Sequence, residues 1–299
     1  MPGTDDYLQR VNRAIDHVRA HLTETIRLAD VAAAAGFSEF HFHRVFRSLM
    51  GETLNDYVKR IRLDRALSLM LLPDPPSLTR VALASGFGSS SDFSRSFKQR
   101  FGVPPSVFDA EAHRRTRREE LVELGRSANK PVDLSQLPDG TNPDGFRAVV
   151  RTLPPRAMAY RRVIAPYRPN AVTDAAKELV AWAEARGLAD GAWYGYMWED
   201  PEVVPLEDCR YDVAVEVAGH LVWSDPEVGR IEFPEMRVAT LLLRGDIELE
   251  QRALDWLFRS WLPRSGHLPA PHPCFEAWCG RPFAHGYEHF ELEAHLPIL

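Results

Sequence analysis

The stretch LADVAAAAGFSEFHFHRVFR, Leu28 to Arg47, decides the fold of the N-terminal half. Leu28, Val31, Ala32 and Ala35 fall on one face at helical spacing. Gly36 stands where the chain reverses and a positive φ is needed. Ser38 is placed to cap a second helix, whose apolar face is Phe42, Val45, Phe46 and Leu49. Small Ala32 permits a close crossing of the two. Glu39, Phe40, His43, Arg44 and Arg47 then face outward. A helix pair of this kind sets a recognition helix into a major groove.

One such pair is also what an ordinary αα-corner looks like. Here it occurs twice. In LTRVALASGFGSSSDFSRSFK, Leu28, Val31, Ala32, Gly36 and Phe37 recur fifty residues on as Leu78, Val81, Ala82, Gly86 and Phe87. Phe42, Arg44, Phe46, Arg47 and Gly51 recur fifty-one residues on as Phe93, Arg95, Phe97, Lys98 and Gly102. Core packing alone does not require a cation at the same outward position in both copies.

Helices flank and join the pairs. Tyr7 to His21 is amphipathic, with Leu8, Val11, Ile15, Val18 and Leu22 at core spacing. Thr53 to Leu72 is a long connector stopping before Pro73, with Leu54, Tyr57, Val58, Ile61, Leu63, Ala66 and Leu69 inward. It is roughly 30 Å long at 1.5 Å per residue, against a duplex repeat of about 34 Å. Two recognition helices on one chain can then enter successive major-groove segments. Lys59, Arg60, Arg62 and Arg65 are candidates for phosphate contacts, or for a solvated face.

Charge is segregated. Residues 1–118 carry 18 Lys+Arg against 13 Asp+Glu, net +5, and the remainder 18 against 29, net −11, which sum to −6. A basic head before an acidic body suits a duplex-binding module joined to one that is not. The three cysteines lack zinc-site spacing, the opening MPGTDDYLQR is unlike a secretory leader, and the longest apolar run is about Val238 to Leu243. The expectation is a cytoplasmic chain without membrane contact.

Residues 8–112 resemble the DNA-binding domain of the AraC/XylS family of transcription regulators. The motifs are LADVA…GF…F-x-R-x-F-R, RIRLDRA, the second A-x-x-x-GF…F-x-R-x-F-K, and FGVPPSVF. The resemblance implies an all-α domain of seven helices with two helix-turn-helix units, and double-stranded DNA as partner. It places base contacts at Phe40, His43 and Arg44 in the first copy and at Ser90, Ser91, Ser94 and Arg95 in the second. Arg47 and Lys98 fit phosphate contacts. Asp92 caps the helix or accepts from a cytosine amino group. The expected domains are 1–118, a linker over 119–143 that is helical at its start, and 144–299.

From Phe146 the period changes to that of strands, in two sets of strand, helix and strand. Pro155, Trp182 and Gly187 recur seventy-nine residues on as Pro234, Trp261 and Gly266. The duplication predicts an α+β domain: an antiparallel sheet with pseudo-two-fold symmetry and both helices on one face. The opposite face, concave by twist, is expected to hold a ligand. In CFEAW, alternation sets Cys274, Glu276 and Trp278 on one face, and a carboxylate among apolar residues there needs a partner. An apolar cation would supply it, with aromatic walls adding attraction. Candidate walls are Tyr160, Trp193, Met197, Trp198, Trp223 and Trp278, with Met197 set across the pseudo-dyad from Glu276 by the seventy-nine-residue period. The histidines lack ligand spacing, and neither metal nor cofactor is expected.

The order of LPPRAMAYRRVIAPY, WAEARGL, CRYDVAVEV, RGDIE and PCFEAW over 146–299 resembles the GyrI-like small-molecule-binding domain. With the basic head, this implies a one-component regulator. It responds to an amphipathic small-molecule effector, cations among the candidates, and acts on DNA binding or on recruitment of RNA polymerase. The alternative implied by stand-alone relatives is a hydrolase of electrophilic, cyclopropane-bearing toxins in which Glu276 activates water.

Overall fold

A computed structural model of the chain describes residues 4–127, 141–223, 225, 227–286 and 288–299. It divides into two compact units, Met1–His113 with Asp225–Gly229, and Arg114–Ser224 with Arg230–Leu299. No described helix is long and apolar enough to cross a membrane.

The first unit is helical: α1 (Thr4–Ala20), α2 (Leu28–Ala34), α3 (Glu39–Met50), α4 (Leu54–Met70), α5 (Leu78–Ala84) and α6 (Ser90–Phe101). A further helix, α7 (Ala110–Ser127), begins in this unit. The repeat is visible in the caps. Ser38 Oγ accepts from the amide of His41, and Ser89 Oγ from that of Asp92. Gly51 and Gly102 both end their helices in the left-handed region. The cap assigns Asp92 to the first turn of α6, where its charge suits the helix dipole.

The connector α4 serves two cores. Leu54, Tyr57, Val58 and Ile61 pack with Val31, Ala32, Phe42 and Phe46. Leu63, Ala66 and Leu69 pack with Val81, Ala82, Phe93 and Phe97. Each fully buried phenylalanine contributes about 1.5–3 kcal/mol. The connector is buried on most of its circumference, and three of its cations, Arg60, Arg62 and Arg65, bind groups of the protein itself. Arg62 Nε donates to the Leu22 carbonyl at 2.9 Å and its Nη2 to that of Glu24 at 2.6 Å. Arg65 donates to Ala84 O, and Arg60 pairs with Glu52 at 2.6 Å. The expected phosphate role of these three is therefore corrected.

The second unit is built on an eight-stranded sheet. Its strands are β1 (Val149–Leu153), β2 (Arg156–Ile164), β3 (Trp193–Met197), β4 (Arg210–Val217), β5 (Gly229–Phe233), β6 (Met236–Gly245), β7 (Cys274–Trp278) and β8 (Phe290–Ile298). The order is β1-β6-β8-β7-β3-β4-β2-β5. The two halves of this order are related by a pseudo-dyad between β7 and β3. The first strand of each copy pairs with the second strand of the other. Helix α8 (Ala171–Glu184) packs on β2 and β4, and α9 (Ile247–Trp256) on β6 and β8. After α9 the helix continues through a π turn, Leu257–Trp261, and the short α10 (Leu262–Ser265). Helix α7 extends to Ser127, and residues 128–140 of the expected linker lie outside the described residues.

Candidate functional site

The outer face of the first unit carries the sequence-predicted cations. Phe40, His43, Arg44 and Arg47 on α3 are exposed, as are Ser91, Arg95 and Lys98 on α6, while Ser90 and Ser94 are half-buried. Phe40 is 76% exposed, with the Arg44 guanidinium 5.8 Å from its ring centre. An apolar ring held in water beside a cation costs free energy unless something covers it. Arg44 and Arg95 are fifty-one residues apart, on the same turn of equivalent helices.

In the second unit the register settles which residues share a face. One cross-strand row runs Arg161, Val213, Gly195, Glu276, Ala294, Leu241. Arg161 pairs with Glu178 of α8 at 2.7 Å, so this is the face that the helices cover. Glu276 therefore sits beneath the helices. The expectation of an open ligand face opposite them is corrected. That face is filled by Met158, Tyr160, Tyr196 and Phe275, packed with Phe233 and Met236. Alternation sorts residues into two faces, but it does not say which face the helices take.

The Glu276 side chain is 9% exposed. Its Oε2 accepts from Tyr211 Oη at 3.1 Å and from the indole N–H of Trp278 at 2.6 Å. The Glu250 side chain, from α9, donates a third hydrogen bond to it. Burial pushes both carboxyls above the usual carboxylate range, Glu250 well above it. Two buried carboxyls in contact cannot both ionise. The proton belongs on Glu250, because Glu276 is the one that accepts from Trp278 and Tyr211. Burial, and then the adjacent Glu276, also hold the Tyr211 phenol well above its ordinary value.

Of the expected walls, Trp278, Trp193 and Met197 share the Glu276 face, since Trp193 faces Trp278 and Met197 faces Cys274 in the register. Trp193 is a core residue, 2% exposed, with its indole N–H donating to Ala189 O. Tyr160 and Trp198 are corrected to the opposite face, where Trp198 donates to Asp212 at 2.6 Å. Trp223 is set edge-on to Trp182, 5.4 Å away. In the register Glu276 faces Gly195, and Met197 faces Cys274.

Tyr211, Glu250 and Gly195 were not singled out in the sequence. Two of them leave a trace there. Glu250 lies in phase with the buried Ala253 and Leu257, an acid on the inner stripe of a helix. Tyr211 alternates with Val213 and Val215 on the face later shared with Glu276.

Two family profiles match the chain. Residues 31–111 match a helix-turn-helix domain, and residues 149–299 match the GyrI-like small molecule binding domain. The HTH-type transcriptional regulator YbfP of Bacillus subtilis is 32% identical over 114 residues, 38% of each chain. The right origin-binding protein of Escherichia coli is 32% identical over 91 residues, 30% of this chain and 31% of that protein. The chain thus spans about a third of the length of these relatives. The crystal structure of the DNA-binding domain of AdpA with a target DNA is 28% identical, covering 36% of this chain and 96% of that one, with a TM-score of 0.33. The chain belongs to the GyrI-like small-molecule-binding family and joins that domain to an AraC-type helix-turn-helix domain.

Proposed function

We propose that this protein is a one-component transcription regulator that grips DNA with two recognition helices and is tuned by a small molecule bound beside Glu276. The observation that carries the reading is the pair of exposed arginines, Arg44 and Arg95, at equivalent positions of a duplicated helix pair. Arg44 and Arg95 read bases, with Phe40, His43, Ser90, Ser91 and Ser94 around them. Arg47 and Lys98, one turn further along each helix, neutralise phosphates. The connector α4 is 17 residues long, or about 26 Å, so both helices can meet one side of a duplex. A regulator of this kind needs no second chain to contact two groove segments.

The GyrI-like domain supplies the signal. A buried carboxylate with hydrogen bonds but no cationic side chain among the groups acting on it suits a cationic, amphipathic effector. Such a ligand alters DNA binding, or contact with RNA polymerase, only to the extent that it binds two states of the protein unequally. The hydrolase reading is disfavoured. The Glu276 Oε2 that would have to position water is already taken by Tyr211 and by the indole N–H of Trp278.

Fluorescence anisotropy with labelled duplexes from the protein's own promoter region tests the proposal. A sequence preference that weakens steeply with salt is expected. Equal, weak binding to all duplexes would sink it.

A further inference from the structure

Two histidines of the first unit stand together outside the recognition helices. His17 and His21 are one helical turn apart at the end of α1, with ring centres 4.3 Å apart. His21 lies one residue beyond α1, but its amide still donates to His17 O at 3.2 Å, so the pair keeps the helical spacing. The His21 ring bonds the same carbonyl, with Nδ1 2.8 Å from His17 O. A carbonyl only accepts, so Nδ1 carries the proton and the neutral ring keeps its lone pair on Nε2. Among the described residues no hydrogen bond engages the His17 ring. Burial, and then the neighbouring His21, hold the His17 pKa below its ordinary value, so this ring too is neutral near pH 7. Both side chains are half-buried. Two exposed carboxylates act on His17: Asp30, in the first turn of α2, and more weakly Glu24. An imidazole anchored through one nitrogen, with the other left open, is the usual form of a metal ligand.

We propose that His17 and His21 are the core of a binding site for a divalent late-transition metal ion, completed by the Asp30 carboxylate and water. Imidazoles at i and i+4 of one helix can both reach a single ion. Two nitrogens with one carboxylate suit zinc, nickel or copper, and not the all-oxygen shells of calcium or magnesium. Among the described residues no three such ligands already converge. The third ligand is therefore recruited by rotation of the exposed Asp30 side chain. In the sequence the pair HVRAH alone falls short of a site, because its third ligand comes from another helix. Recruitment of Asp30 ties α1 to α2, the helix that precedes the recognition helix α3. The ion then braces the first helix pair and stabilises the folded state in which its ligands meet. This site is independent of the effector reading and lies within the first unit.

Titration of zinc(II), nickel(II) and copper(II) into the untagged full-length protein tests this, read by calorimetry and by NMR of the histidine rings. The tightest site is expected to hold one ion per chain, with copper bound most strongly and magnesium not competing. Substoichiometric copper should broaden the His17 and His21 ring signals before those of the other histidines. His17→Ala and His21→Ala should each weaken binding by at least about tenfold, and Asp30→Asn by less. Zinc should raise the unfolding midpoint of the parent and leave that of His21→Ala where it was. If a variant fails to fold, the broadening pattern of the parent still decides. Affinity unchanged in both histidine variants, broadening centred on other histidines, or no binding of any of the three ions overturns the site.

Discussion

Gly195 and Glu276 face each other across the central β3–β7 pairing, and the Tyr211 hydroxyl crosses the space above Gly195 to reach the Glu276 carboxylate. A Cβ on Gly195 would meet Tyr211 Oη at 1.7 Å and Glu276 Oε2 at 3.2 Å. The glycine is there for space, not for an unusual φ. Gly195→Ala must therefore expel the Tyr211 ring, at a cost of about 1–3 kcal/mol for overpacking. Tyr211→Phe removes only the hydrogen bond and costs about 1 kcal/mol. Chemical denaturation of both variants checks the order. A Gly195→Ala protein as stable as the parent would show that the hydroxyl is not confined there.

The exposed cations of α3 and α6 fall into two kinds with different signatures. Arg44→Ala and Arg95→Ala each cost about 1–3 kcal/mol on the preferred duplex and relax the choice of base where that side chain reads. Arg47→Ala and Lys98→Ala weaken binding to all sequences alike and lower the salt slope by about one unit. Anisotropy titrations over a salt series separate the two. Loss of the salt slope in Arg44→Ala, with base preference intact, would reassign that arginine to the backbone.

Arg62 looks like a phosphate contact in sequence and acts as a clasp in the fold. It donates to Leu22 O and Glu24 O, and a Cβ on Gly86 would come within 2.8 Å of its Nε. Arg10 repeats the arrangement at the other glycine turn, donating to Ala35 O at 2.9 Å and lying over Phe37. Arg62→Ala is expected to lower stability by about 1–3 kcal/mol through the unmet carbonyls. The salt slope of DNA binding stays unchanged. A normal melting temperature with a reduced slope would reverse the assignment.

These contrasts show where sequence reading stops. Helix caps, glycine turns and apolar periods are local, so both helix pairs are legible from residues such as Ser38, Gly36 and Phe42. Glu276 stood out because a carboxylate in an apolar strand demands a partner. The partner itself, Glu250, lies twenty-six residues away on a helix, and only tertiary packing brings the two together. Tyr160 and Trp198 were misassigned for the same reason. Alternation groups residues by face within a strand, but the register across strands decides which groups coincide. The surroundings of Arg60, Arg62 and Arg65 depend on tertiary packing: Arg62 and Arg65 donate to carbonyls distant in sequence, and Arg60 pairs with Glu52.

His295 makes the C-terminal domain sensitive to acid. It is 1% exposed, stacked 4.4 Å from the Phe275 ring, with Nδ1 donating to Glu293 O. Its Nε2 accepts from Arg151 at 2.9 Å. Burial, and then the Arg151 charge, push its pKa down to about 3 from an ordinary 6.5. Below pH 6.5 the unfolded chain takes up a proton that the folded chain refuses, so stability is lost as the pH falls. The loss approaches about 1.4 kcal/mol per pH unit. It extends toward pH 3, where the folded ring also protonates. His295→Gln keeps an acceptor for Arg151 and should lose less stability between neutral pH and mild acid than the parent. Denaturation midpoints at a series of pH values give the slopes, and NMR of the His295 ring shows directly whether it stays neutral at pH 5. Parallel slopes, or a ring that titrates near 6.5, would place the acid sensitivity elsewhere.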